Sequence, residues 1–203
     1  MASTFFTAFS NTLGLQLYKL ASGSQSVTLW TANNPALGGL IPIDLTEFNG
    51  NVWFGGTTPA EGFQLYKLGF DGSVTKWTAI NPAGGGLNPQ NMFEFANALW
   101  FDGQTAANGG QLFKLGADGS VTQWTNVPGG FDPRLVSATT LIGPDPDSTP
   151  SSIFQNAAWL EGTNAANGGT ELYKLGADGS VTFWKDINPG PTGSFPQDWA
   201  RFA

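Results

Sequence analysis

A repeat of about forty-seven residues constrains this chain more than any other feature. The string Gln-Leu-Tyr-Lys-Leu, or a variant of it, begins at Gln16, Gln64, Gln111 and Glu171, and a second string, Val-Thr-x-Trp, ends at Trp30, Trp77, Trp124 and Trp184. The Trp markers step by 47, 47 and 60 residues, the last step being stretched by an insertion at about 141–152 around Gly143-Pro144-Asp145-Pro146-Asp147. A Pro follows each marker, at Pro42, Pro89, Pro133 and Pro196, and aromatic or apolar pairs recur at Phe5-Phe6, Trp53-Phe54, Trp100-Phe101 and Trp159-Leu160. Self-similarity at this period means one supersecondary unit used four times, each copy burying its apolar faces against its neighbours.

Inside a copy the apolar pattern has period two. Leu112-Phe113-Lys114-Leu115, the turn Gly116-Ala117-Asp118-Gly119 and Ser120-Val121-Thr122-Gln123-Trp124 read as a hairpin rich in β-branched and aromatic residues. The Asp-Gly turn recurs at Asp71-Gly72 and Asp178-Gly179, whereas the first copy has the longer Ala21-Ser22-Gly23-Ser24-Gln25. Two further short strands precede each hairpin, as in Asn91-Met92-Phe93-Glu94-Phe95 and Leu99-Trp100-Phe101-Asp102, and no capped helical period occurs. Four-stranded units of this length predict an all-β, four-bladed β-propeller, a single domain over 1–203. Thr4-Phe5-Phe6-Thr7 aligns with the second strand of a unit and 196–203 with the first, so the C-terminal strand is expected to pair with the N-terminal strands and close the ring.

Composition removes whole classes of function. Zero Cys and zero His exclude thiolate nucleophiles, disulfides, structural zinc and the commonest general base. Six Lys and two Arg against fifteen acids, for a net charge of −7, leave no means of neutralising a phosphate backbone, so nucleic acid is not an expected partner. No apolar run approaches the roughly 20 residues of a membrane span, and membrane insertion is not expected.

The last copy reads Glu171-Leu172-Tyr173-Lys174-Leu175-Gly176-Ala177-Asp178-Gly179, continuing to Lys185-Asp186-Ile187-Asn188-Pro189-Gly190. It resembles the E-L-W/Y-K-x-D-G … K-D-I-N-P-G repeats of β-propeller modules in large secreted or surface proteins of bacteria. The resemblance implies an extracellular or cell-surface module near adhesion functions, and names no activity. A four-bladed ring is also similar in architecture to hemopexin-like domains, which implies ion or ligand sites in a central channel and binding at the rims.

Several residues are candidates for chemistry. Indole faces stack on sugars, which makes Trp53, Trp100 and Trp159 candidate ligand contacts, although their repeat-equivalent positions also fit core packing; Trp30, Trp77, Trp124 and Trp184 are expected in the core. The Asn-Gly-Gly loops add Asn108 and Asn167 at the rims. Asp44, Asn91 and Asp198 share one repeat position in the strand after the Pro and supply oxygen ligands suited to Ca²⁺ in a central channel. The recurrent Lys19, Lys67, Lys114 and Lys174 read either as ligand-binding cations or as edge-strand lysines that discourage aggregation. Acids are spread evenly by the repeat and offer no uniquely placed pair, so the chain is expected not to be an enzyme. The sequence therefore predicts a non-catalytic, lectin-like binding or adhesion module for a glycan or extracellular protein. The alternatives are a structural spacer of a larger secreted protein and, third, a carboxylate-based glycosidase.

Overall fold

Period-two segments become strands in all four copies. The computed structural model describes residues 3–21, 23, 26–33, 39–135, 153–164, 169–185, 188 and 193–196. The first copy gives β1 (Ser3–Ser10), β2 (Gly14–Ala21) and β3 (Val27–Leu29), hydrogen-bonded in that order. The second gives β4 (Ile43–Phe48), β5 (Asn51–Thr58), β6 (Gly62–Leu68) and β7 (Val74–Lys76), and the third β8 (Gln90–Phe95), β9 (Ala98–Thr105), β10 (Gly109–Gly116) and β11 (Val121–Gln123). In the fourth, β14 (Ala157–Asn164), β15 (Gly169–Gly176) and β16 (Val181–Lys185) follow a first strand that comes in two pieces, β12 (Arg134–Leu135) and β13 (Ile153–Phe154). Both pieces pair with β14, so the insertion predicted at 141–152 falls inside that strand. The fold is all-β, four antiparallel meanders with, among the described residues, one short 3-10 turn at Pro82–Gly84. The expected closing strand at 196–203 lies, apart from Pro196, outside the described residues.

The chain divides into two compact units. Met1–Met92 with Gly103–Ala106 holds the first two sheets, and Phe93–Asp102 with Ala107–Ala203 holds the fourth sheet and most of the third. In the first unit Leu17, Leu40, Phe54, Tyr66 and Leu68 form a buried cluster. In the second, Trp100, Leu112, Phe131, Leu160, Tyr173 and Leu175 belong to the corresponding one. Central strands supply most of these residues because they carry apolar groups on both faces, as a sheet covered on both sides requires.

Turn chemistry fixes the registers. Asn49-Gly50, Ala96-Asn97 and Gln155-Asn156 all have positive φ at both residues, from 50° to 68°, the two-residue loop whose twist matches antiparallel strands. In the Asp-Gly turns, Asp71, Asp118 and Asp178 accept hydrogen bonds from the backbone N–H and hydroxyl of Ser73, Ser120 and Ser180 at 2.6–3.0 Å. Between sheets the chain passes through a left-handed residue before each Pro: Ile41, Asn88, Asp132 and Phe195, with φ of 52°, 50°, 43° and 44°. That conformation is costly for side chains such as Ile and Phe. In each case the residue's N–H donates to a carbonyl at the start of the preceding long strand, of Leu15, Phe63, Gly110 and Thr170, at 3.0–3.3 Å.

The end of each hairpin is held by a buried amide. Gln64 is fully buried; its Nε2 donates to the carbonyls of Glu61 and Ile80, and its Oε1 accepts from Thr78 Oγ1 and the Ile80 N–H. Thr78 Oγ1 in turn accepts from the Leu65 N–H at 3.0 Å. Gln16 with Thr31 and Gln111 with Thr125 repeat the arrangement. Every donor and acceptor of the amide is used, which is what makes a buried Gln tolerable in an apolar surround.

Candidate functional site

Each hairpin places a Lys beside the Trp that ends its last strand. The register Lys19↔Thr28 puts Thr28, and two residues on Trp30, on the same face as Lys19. Lys67↔Thr75, Lys114↔Thr122 and Lys174↔Thr182 do the same for Trp77, Trp124 and Trp184. The ammonium groups lie 4.6, 5.2, 4.8 and 5.7 Å from the centroids of those indoles, within cation–π range. These lysines sit on interior strands, with partners on both sides, so the edge-strand expectation is corrected. Their stems cover aromatic surface and their charges face indole.

The burial of the tryptophans reverses the expected order. Trp53, Trp100 and Trp159 are 4%, 1% and 5% exposed, whereas Trp77, Trp124 and Trp184 are 38%, 38% and 54% exposed, and Trp30 is half-buried. Trp53, Trp100 and Trp159 stand on the second strand of a sheet, which is paired on both edges. The Val-Thr-x-Trp indole lies edge-on against the buried one, with centroids 5.2, 5.3 and 4.9 Å apart. Trp53 and Trp100 spend their Nε1–H groups on the carbonyls of Phe48 and Phe95. A buried indole has no face for a sugar, so the stacking surface passes from Trp53, Trp100 and Trp159 to their partners. The hairpin register, had it been drawn from the Asp-Gly turn, would have put each Lys next to this second indole.

Two of the partly exposed indoles wall grooves. Trp30 lines one of about 450 Å³ with Thr28, Leu29, Asn33, Gly72 and Val74, and its Nε1 donates to the Gly72 carbonyl at 2.9 Å. Trp124 lines one of about 340 Å³ with Asn126, Val127, Phe131, Tyr173 and Val181, and its Nε1 donates to the Gly179 carbonyl at 2.6 Å. The two grooves are repeat equivalents, one in each compact unit. In both, the indole covers the glycine of the following sheet's Asp-Gly turn. A Cβ on Gly72 or Gly179 would stand 2.5 Å from indole Cζ2, so Gly is needed there for space as well as for its φ of 83°.

Among the other predicted residues, Asn108 donates its amide to Asn126 Oδ1 at the margin of the second groove, and its carbonyl accepts from Gln111. Asn167 and Asp198 lie outside the described residues. Asp44 and Asn91 do come together, but through the Asn91 backbone N–H, which donates to Asp44 Oδ2 at 2.6 Å; the Asn91 side chain is not the partner. Among the described residues no three Asp, Glu, His or Cys gather as metal ligands.

Two groups of charged residues were not read from the repeat. Oxygens of Asp102 and Asp132 both approach the point where a Cβ on Gly110 would stand, so Gly110 makes room for two carboxylates. Burial pushes the Glu161 carboxyl above the ordinary carboxylate range, and Arg134, its register partner across β12 and β14, pulls it back. Asp102 and Glu161 occupy equivalent strand positions, but Asp132 and Arg134 come from the divergent loop and strand before the insertion.

No family model and no curated protein matches the chain. Solved structures do. A putative TolB from Agrobacterium tumefaciens aligns with a TM-score of 0.54 at 14% identity, over 90% of this chain and 60% of that one. A structure from work on two prolyl endopeptidases aligns with a TM-score of 0.55 at 12% identity, over 90% of this chain and 24% of that one. The chain thus spans less than two thirds of either neighbour. At these identities the likeness concerns the fold alone, which is all-β and β-propeller-like.

Proposed function

We propose that the chain is a non-catalytic, multivalent glycan-binding module of an extracellular or cell-surface protein, and that its four sheets are the blades of a closed ring. The observation that carries the binding reading is the repetition of an indole-walled groove at equivalent places in both units, lined by Trp30 and Asn33 in one and Trp124 and Asn126 in the other. An indole face offers apolar contact to the C–H face of a pyranose, and flanking amides and hydroxyls offer hydrogen bonds to its ring hydroxyls. Two weak sites on one chain gain avidity on a polymeric ligand that reaches both, without any new contact.

The ring is supported by the connectors. The left-handed residue and Pro that precede β4, β8 and β12 occur a fourth time at Phe195-Pro196, with the same hydrogen bond to the preceding long strand. The geometry that feeds a first strand in three copies therefore recurs ahead of the segment expected to close the ring. Removing 197–203 should lower the melting temperature clearly, and an unchanged melt would dispose of the closed ring.

Titration calorimetry against a panel of oligosaccharides tests the function. The expected outcome is two sites per chain with Kd near millimolar for single saccharides, and loss of one site in Trp124→Ala with the fold verified by circular dichroism. Silence across the panel would favour the spacer reading. Turnover of any oligosaccharide that disappears in Asp102→Asn would favour the glycosidase, for which the Asp102–Asp132 approach at Gly110 is the structural motive.

A further inference from the structure

The four repeat lysines share one environment except in their countercharge. Lys67, Lys114 and Lys174 each act on the Asp of their own hairpin turn, Asp71, Asp118 and Asp178. Those carboxyls are held below the ordinary carboxylate range chiefly by the Ser hydroxyl two residues on, then by that residue's N–H, with the Lys adding a smaller pull. The first hairpin has Ala21-Ser22-Gly23-Ser24-Gln25 in this place and no acid at all. Lys19 therefore holds its ammonium 4.6 Å from the Trp30 ring and 5.8 Å from that of Phe5, and among the described residues it has no carboxylate partner.

Lys19 adjoins a groove through two neighbours. Its cross-strand partner Thr28 and the indole it caps, Trp30, both line the larger cavity. The acid nearest that cavity in sequence is Asp71, beside Gly72, and it is already engaged by Ser73 and Lys67. In the second groove Lys114 answers to Asp118, and Asp178 beside Gly179 answers to Lys174. The lysine over the second groove's indole thus has an acid in its own hairpin turn, and the lysine over the first groove's indole has none.

Building on the glycan-binding reading, we infer that the first groove selects a carboxylate-bearing saccharide, a uronate, with Lys19 as the group that recognises the anion. The sugar ring stacks on Trp30, and the carboxylate accepts from the Lys19 ammonium, whose three donors include none satisfied by an acid among the described residues. The net charge of −7 repels an anion at long range, but at physiological salt that field is screened beyond about 8 Å, and contact energetics with the local cation decide.

The test compares oligogalacturonate with the same oligomer fully methyl-esterified, by calorimetry on the full chain. The acid form should bind about five- to tenfold more tightly than the ester, the preference should shrink as salt is raised, and Lys19→Met should abolish it while leaving ester affinity in place. Lys174→Met, beside an indole that lines neither groove, should keep the preference. Equal binding of acid and ester by the native chain overturns the anion inference and leaves the glycan reading standing, as does a preference that survives Lys19→Met. Binding of neither, by a chain verified as folded, removes both.

Discussion

The fourth sheet and most of the third belong to one unit, and the two differ in how the hairpin end is closed. In the third, Gln111 and Thr125 close the hairpin end with every polar atom satisfied. In the fourth, Glu171 stands at the Gln position and Lys185 at the Thr position. Glu171 is fully buried; its Oε2 accepts from Ser194 Oγ at 2.6 Å, and its Oε1 has no hydrogen-bond partner among the described residues. Lys185 is exposed and joins β16, which runs five residues where β11 runs three. The comparison teaches that the fold accepts two closures here: with the amide lock the strand stops short, and with Glu and Lys in its place the strand runs on through the Thr position.

Breaking the intact lock should have the largest effect. Gln111→Leu leaves the carbonyls of Asn108 and Val127, the Val127 N–H and the Thr125 hydroxyl without their buried partner, and should cost about 3–5 kcal/mol in urea unfolding. A loss below roughly 1 kcal/mol would mean that water replaces the amide freely. Rebuilding the lock in the fourth sheet sharpens the contrast from the other side. The double change Glu171→Gln with Lys185→Thr should stabilise by about 1–2 kcal/mol, because it exchanges a buried carboxylate for a neutral amide with a Thr hydroxyl to bond. Destabilisation would show that the charged version has a role of its own.

The smallest effect tests what the two sheets have in common. Asp118 and Asp178 are both exposed and both held below the ordinary carboxylate range by their Ser partners. A carboxyl whose folded pKa is depressed contributes stability that is complete above its unfolded pKa and is lost as pH falls through the folded value. Ser120→Ala and Ser180→Ala should therefore each lower the melting temperature slightly at neutral pH and not at all in strong acid, by the same amount in either sheet. An unequal response would trace to the lock, the main difference between the two hairpins.

The sequence made the architecture legible because the repeat is long and its turns are chemically explicit. Asn49-Gly50 and the three Asp-Gly turns mark strand ends through the positive φ that Gly and Asn tolerate. The insertion was visible as a stretched interval, though not as a break within one strand. Burial was harder to read. Trp53 and Trp77 are the same residue type on neighbouring elements of one sheet, and only the strand order, with β5 inside and β7 at the edge, decides which indole is covered. The Gln–Thr lock was hidden because a Gln at the start of an apolar strand reads as its exposed end, whereas tertiary hydrogen bonds bury it completely. The bond between Asp44 and Asn91 was hidden for a similar reason: sequence shows side chains, and the partner is a backbone N–H of Asn91.

The divided first strand of the fourth sheet has a practical consequence. Arg134–Leu135 and Ile153–Phe154 each pair with β14, so the ladder is held on both sides of the inserted sequence. Such a joint accepts guest sequence cheaply, since doubling the length of a loop costs only about 0.6 kcal/mol of closure entropy. It offers a place where an epitope, a tag or a second folded module can be grafted without disturbing the scaffold that carries it.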